Sequence, residues 1–195
     1  MIKTKELNSS GNQNYHRHLT RLSYDQKVFD SLTDYALHTS DWQPGYDSRG
    51  FKFNLEYVKL DAEKFPVLNE IYECWNSKFK TPSFILSKVL PGGLIMHHDF
   101  GKTGNLAFPL HGDFTETPQW YFDFQSNITE EFYYSGSPIL FNTQILHAVP
   151  MDEADTEPRI LLMMNQYEWL PNLFKRIDKK TIWRSSENFY YDKSN

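Results

Sequence analysis

A single cysteine, Cys74, stands in 195 residues, which excludes an internal disulfide and any thiolate cluster for zinc or iron–sulfur. An intracellular, reducing home is expected, and the cytoplasm is its simplest form. Cys74 sits beside Trp75 in a helical pattern and reads as a buried, inert thiol. Nowhere do the roughly 18 consecutive apolar residues of a spanning helix occur, and the polar stretch 1–20 holds no apolar secretion-signal core. The chain therefore reads as soluble and unexported, with no membrane partner. Positive charge is also short. The formal balance is −5, whereas nonspecific nucleic-acid affinity needs a concentrated positive field, so no nucleic-acid partner is expected. The one basic cluster, Lys175, Arg176, Lys179, Lys180 and Arg184, lies among apolar residues and reads as the solvated side of a terminal helix.

Aromatic residues are abundant: 15 Phe, 12 Tyr and 5 Trp supply large buried areas and suit β-rich architecture. A chain of this length buries one substantial core, so 1–195 is expected as one domain. Residues 1–20 read as a loose arm or a strand added late. From Ser23 the spacing of Val28, Leu32, Tyr35 and Ala36 predicts a helix, and Leu68, Ile71, Tyr72 and Trp75 predict a second over 61–79. Residues 51–60, FKFNLEYVKL, alternate like a strand, while 43–50, with Pro and Gly, read as a loop. After Pro82 come short β-prone runs: FILSKVL, GLIMHHD, NLAFPL, QWYFDF, EFYY, SPILFN, ILHAV and RILLMM. Their spacing is that of a sandwich or barrel. The expected class is mainly β with N-terminal helices, arranged as a jelly roll. A helical and strand part covers 1–80, a jelly-roll catalytic core 81–168, and a C-terminal extension 169–195.

Strand alternation within GLIMHHD sends His97 and Asp99 to one face and His98 to the other. A histidine and a carboxylate from one strand can converge on one metal ion, and a second histidine from another strand completes a three-ligand face. Such a face leaves three octahedral positions open, which suits a non-heme Fe(II) that binds a co-substrate and oxygen together. The H-x-D pattern occurs a second time at His111 and Asp113. There Gly112 and the preceding Pro109 suggest a turn after a strand, so the first match is preferred and His111 is placed at a rim or loop.

Downstream, GSPILFNTQILHAVP puts His147 at the end of a β-rich run. The distance from H-x-D is that of several short strands, enough in a sandwich to return the chain to its starting neighbour. Arg159 then projects from the next strand among Ile160, Leu161 and Leu162, where a buried guanidinium needs an anionic partner. A dicarboxylate gripped by the planar fork would serve. Taken singly, His147 reads as a hydrogen-bonded core histidine and Arg159 as the partner of a local acid among 152–157. Together and in this order they favour a metal site. Trp120 and Tyr121 could stand at a pocket mouth, although aromatic core packing is the simpler reading.

These residues resemble the Fe(II)- and 2-oxoglutarate-dependent oxygenases, with their H-x-D, distal histidine and downstream arginine on a double-stranded β-helix, a cupin-like jelly roll. Within that family the similarity is to the aspartyl/asparaginyl β-hydroxylase-like group. It covers about 83–165 and includes LPGGLIMHHD, NLAFPL and GSPILFNTQILHAV followed by PR. The resemblance implies His97, Asp99 and His147 as iron ligands and Arg159 as the partner of the distal carboxylate of 2-oxoglutarate. Ser87 is implied as a second contact to that carboxylate, because it has the strand parity of His97 if the PGG turn preserves register. Asn105 falls in the co-substrate pocket, where the group often carries the arginine of an R-x-H pattern, and Ala107 takes the place of that histidine.

The activity so implied is hydroxylation of a C–H bond of an amino acid, a peptide side chain or a small metabolite. Fe(II) is the implied cofactor, 2-oxoglutarate the co-substrate and molecular oxygen a partner. A cupin-like metal- or ligand-binding protein without turnover is the alternative, and isomerase or hydrolase chemistry on the same triad is a third. A requirement for oxygen and the release of succinate separate the first from the others.

Overall fold

The computed structural model describes residues 15–19, 22–47, 49–75, 83–115, 117–134, 137–179, 184 and 186–191. Most of the expected N-terminal arm lies outside them. Two short strands, β1 (His16–His18) and β2 (Leu22–Tyr24), lead through a 3-10 turn at Gln26–Phe29 into α1 (Asp30–His38). Next come β3 (Gln43–Tyr46), β4 (Lys52–Lys59) and α2 (Pro66–Cys74). Eight strands follow: β5 (Phe84–Val89), β6 (Leu94–His97), β7 (Gly104–His111), β8 (Gln119–Phe122), β9 (Ile128–Phe132), β10 (Ile139–Asn142), β11 (His147–Val149) and β12 (Arg159–Gln166). The described chain ends with α3 (Leu170–Asp178) and β13 (Phe189–Tyr191). Each of the strands β5 to β12 overlaps one of the eight β-prone runs, although β9 begins at Ile128 and keeps only Glu131 and Phe132 of EFYY.

They form a jelly roll. A seven-stranded antiparallel sheet in the order β1-β10-β7-β12-β5-β4-β3 opposes a four-stranded sheet in the order β6-β11-β8-β9, and β13 pairs with β2. Strand β12 explains the layering. Its even residues Leu162 and Met164 meet α2 and α3 residues Leu68, Ile71, Leu173 and Phe174 in the larger core. Its odd residue Leu161 turns inward to Tyr121, Phe132 and Phe141 between the sheets. A strand covered on both faces reads as a continuous apolar run, which is why RILLMM shows no alternation.

The helices pack on the outer face of the large sheet. Pro66 at the first turn of α2 presets the helical φ, and Leu68, Ile71 and Cys74 are buried. Burial raises the Cys74 thiol above its ordinary value, as an inert thiol requires. In α3 the buried residues Leu170, Leu173, Phe174 and Ile177 recur at helical spacing, while Lys175 and Lys179 are exposed. Arg176 of the same basic cluster pairs with Glu168 Oε2 at 2.7 Å. Lys180 lies outside the described residues. No helix among the described residues is long and apolar enough to cross a membrane.

Three local expectations are corrected. Residues 43–46 are a strand, because Pro44 and Gly45 lie on β3 at the sheet edge, where a missing N–H breaks no ladder. Ser23 belongs to β2, so the first α-helix begins only at Asp30, after the 3-10 turn capped by the Asp25 side chain. The second helix begins at Pro66 instead of 61, since Asp61 caps a turn through Glu63 N at 2.9 Å; the segment 76–79 is outside the described residues.

Candidate metal centre

The turn that launches β6 is set by two glycines. Gly92 and Gly93 have φ of 87° and 67°, a region L side chains rarely adopt. Close approach also matters at Gly93, where a Cβ would lie 2.1 Å from the Val149 carbonyl oxygen. That contact seats the turn against β11 and fixes the β6–β11 pair, in which His97 stands directly opposite His147. The chain does return to its starting neighbour, although His147 opens β11 instead of closing the preceding run.

The two rings lie 4.4 Å apart, centroid to centroid. Each is oriented in the same way: Nδ1 of His97 meets the Ile95 carbonyl at 2.8 Å, and Nδ1 of His147 meets the Ile145 carbonyl at 2.8 Å. A backbone carbonyl selects the Nδ1–H tautomer and leaves Nε2 with its lone pair. Asp99 follows β6, with its amide donating to the Thr143 carbonyl at 2.8 Å. Its Oδ1 lies 3.8 Å from His97 Nε2. One ligand atom each from His97, Asp99 and His147 all fall within 4.8 Å of one another. His98 is exposed and packs edge-on against Phe100, with centroids 4.5 Å apart, away from this cluster.

Burial, reinforced by His97, pushes the His147 imidazole down to about 4, which keeps it neutral near pH 7. Burial alone would raise the Asp99 carboxyl, but Lys102, then His147 and His97, hold it below the usual carboxylate range. The Lys102 ammonium sits 3.1 Å from Asp99 Oδ2. In the amide orientation that satisfies both ends of Asn105, the same Nζ donates to its oxygen at 3.0 Å and the amide nitrogen donates to Asn165 Oδ1 at 2.8 Å. Lys102 was not among the residues singled out in sequence. Its signal is local: it follows Gly101, whose φ of 79° turns the chain back toward Asp99.

The triad opens on a cavity of about 350 Å³ whose lining includes Ser87, Asn105, Lys102, Gln119 and Arg159. The six site residues expected from sequence, His97, Asp99, His147, Arg159, Ser87 and Asn105, all line it. Ser87 gets there for a different reason than register through the PGG turn. Strands β5 and β6 belong to opposite sheets, and Ser87 faces inward because it pairs with Leu161 on β12. Trp120 points away, donating Nε1–H to Glu131 at 2.9 Å, whereas Tyr121 is core and donates to the Tyr15 carbonyl at 2.8 Å. The second H-x-D match does not form such a site: β7 ends at His111, Gly112 turns the chain with φ of 104°, and His111 lies 3.9 Å from Glu157.

Arg159, 1% exposed, begins β12. Phe114 and Tyr134 rings flank its guanidinium carbon at 4.9 and 5.4 Å. Nη1 donates to the carbonyls of Thr117 at 3.1 Å and Pro118 at 3.4 Å. Nε and Nη2 are buried with no hydrogen-bond partner, so the acidic run 152–157 does not satisfy them. These two N–H groups form one edge of the fork, the edge that grips a carboxylate with two parallel hydrogen bonds. Burial lowers the Arg159 value, with Tyr134 and Asp113 opposing, yet an arginine stays charged.

Both donor sets fit what the sequence implies. Two imidazoles and a carboxylate suit a divalent ion of the Fe(II) type, and the orphaned guanidinium edge suits a dicarboxylate.

No protein-family profile and no curated protein matches the chain. Among solved structures, a prolyl hydroxylase from Trichoplax adhaerens, in complex with a hypoxia inducible factor oxygen degradation domain peptide fragment, aligns with a TM-score of 0.54. Identity is 12%, over 80% of this chain and 85% of that one. A Pseudomonas putida prolyl-4-hydroxylase aligns at 0.49, with 10% identity over 78% and 94%. A non-heme alpha-ketoglutarate-dependent epimerase from nogalamycin biosynthesis aligns at 0.45, with 10% identity over 72% and 70%. The first of these carries the assignment: the chain has the double-stranded β-helix fold found in a prolyl hydroxylase. At this identity the likeness is one of fold.

Proposed function

We propose that the protein is an Fe(II)- and 2-oxoglutarate-dependent oxygenase that hydroxylates a C–H bond of an amino acid, a peptide side chain or a small metabolite. The observation that carries this reading is the pairing, in one cavity, of the His97–Asp99–His147 cluster with the unpartnered Nε and Nη2 edge of Arg159. His97 Nε2, His147 Nε2 and Asp99 Oδ1 would hold the iron. Arg159 would hold the distal carboxylate of 2-oxoglutarate, with Ser87 and Asn105 as further contacts. Bound there, iron and 2-oxoglutarate together supply oxygen activation for C–H hydroxylation.

The chain's own residues do the rest. The carbonyls of Ile95 and Ile145 fix the imidazole tautomers, and Lys102 keeps the Asp99 carboxylate ionised and oriented. Phe141, Leu161 and Val149 line the cavity with apolar surface that excludes water from the reacting groups. Membership of the aspartyl/asparaginyl β-hydroxylase-like group belongs to this reading and rests on the sequence motifs. A peptidyl substrate is supported by the peptide in the Trichoplax hydroxylase complex, and a cytoplasmic location by the single cysteine.

The test is conversion of 2-oxoglutarate to succinate by the purified chain with Fe(II), over a panel of amino acids and peptides, in air and under nitrogen. Succinate should form only with iron and oxygen. Metal binding without succinate, on any substrate or as uncoupled background, would assign the chain to the non-catalytic cupin-like alternative.

A further inference from the structure

Besides Arg159, one more of the described residues that line the cavity carries a buried donor with nothing to donate to. Gln119, the first residue of β8, is 3% exposed. Its Nε2 is buried without a hydrogen-bond partner, while its Oε1 accepts from the Tyr134 hydroxyl at 3.2 Å. In this orientation the amide has its oxygen occupied by Tyr134 and its NH2 free. The same Tyr134 ring flanks the Arg159 guanidinium, and Arg159 Nη1 is tied to the carbonyls of Thr117 and Pro118, the two residues that precede Gln119. The β8 entry therefore locks Arg159 through its backbone and carries Gln119 into the same cavity.

A buried amide donor left unsatisfied is unfavourable, and folds seldom keep one without a partner. Three such donors in one cavity, Nε and Nη2 of Arg159 and Nε2 of Gln119, match the several lone pairs of a single carboxylate. We propose that Gln119 is a specificity-determining residue that donates Nε2–H to the distal carboxylate of the co-substrate beside Arg159. This rests on the reading of the site as a 2-oxoglutarate pocket. Because the amide is neutral, it adds a hydrogen bond without adding charge. It thus selects for the presence and position of the carboxylate, where Arg159 supplies the attraction.

The test is calorimetric titration of the Co(II)-loaded chain 1–195 with 2-oxoglutarate and, separately, with 2-oxopentanoate, which lacks the distal carboxylate. Gln119→Leu should bind one Co(II) as the wild type does, weaken 2-oxoglutarate on the order of tenfold or more, the effect expected of a lost hydrogen bond to a charged group, and leave 2-oxopentanoate unchanged. Gln119→Glu, which sets a carboxylate against the ligand's own, should weaken 2-oxoglutarate further than Leu does. Unchanged 2-oxoglutarate binding in both variants would overturn the assignment, as would equal weakening of both ligands, the mark of a structural role. A wild-type chain that binds Co(II) but no 2-oxoglutarate would instead overturn the pocket reading itself, and this inference with it.

Discussion

His97 and His147 stand directly opposite each other on the antiparallel strands β6 and β11, and each is turned by a carbonyl two residues before it on its own chain segment. Two separate stretches of sequence thus present two Nε2 atoms to one point, with Asp99 beside them. His97→Ala, Asp99→Ala or His147→Ala should each abolish stoichiometric Co(II) binding in equilibrium dialysis. His111→Ala should retain it, because His111 stands at the β7 end against Glu157. Loss in His111→Ala alone would move the site to the second H-x-D.

Arg159 should separate the two ligands. Arg159→Met removes the free guanidinium edge and should weaken 2-oxoglutarate by about tenfold to a hundredfold, as loss of a hydrogen-bonded charge pair does, while Co(II) affinity stays within a few-fold. The unliganded variant should melt within about 1 kcal/mol of wild type, because two unsatisfied N–H groups leave the core along with the Nη1 hydrogen bonds. Equal losses of metal and co-substrate would mean that Arg159 is a structural residue.

Gly93 couples stability to the site. Its φ of 67° and the 2.1 Å approach of a Cβ to the Val149 oxygen leave no room for a side chain. Gly93→Ala should lose about 1 to 3 kcal/mol in urea unfolding, the range for a residue forced into a sparsely populated conformation. It should also weaken Co(II) binding, because the displaced β11 carries His147. Gly101→Ala, also at positive φ but in open space, should cost less and spare the metal.

Glu70 ties α2 to the C-terminal segment. Burial alone would raise its carboxyl, but the Ser186 hydroxyl and the Asn188 side-chain and backbone N–H groups outweigh it and hold the group below the usual carboxylate range. A carboxyl depressed in the folded state stabilises at pH above its unfolded value, about 4.3, and that stabilisation is lost as pH falls through the folded value. Wild type should therefore melt above Glu70→Gln at neutral pH, and the gap should close on acidification below about pH 4. A gap that is independent of pH would mean that the carboxylate charge plays no part.

Much of the site was legible because a strand has period two. Alternation groups His97 with Asp99 and sets His98 apart, and the grouping holds although β6 ends at His97 and Asp99 is positioned beyond it by its amide bond to the Thr143 carbonyl; the length between H-x-D and His147 suits a returning strand. The eight runs after Pro82 were legible for another reason: turn residues punctuate short strands. The edge strand β3 was not, because Pro44 and Gly45 signal a loop locally and only pairing with β4 makes them a strand. The route of Ser87 to the cavity was hidden too, as sheet membership depends on long-range pairing that no local pattern encodes. Lys102 and Gln119 escaped for a related reason: a lone lysine after a glycine and a glutamine before an aromatic run acquire meaning only once the cavity brings Asp99 and Arg159 beside them.

The central claim is that one cavity holds a divalent ion and a dicarboxylate together. Binding of 2-oxoglutarate to the purified chain under nitrogen, measured with and without Fe(II), tests it most directly. One 2-oxoglutarate per chain should bind, much more tightly with the metal than without it, and the Asp99→Ala chain should lose that enhancement. Binding indifferent to metal, or no binding at all, would contradict the account.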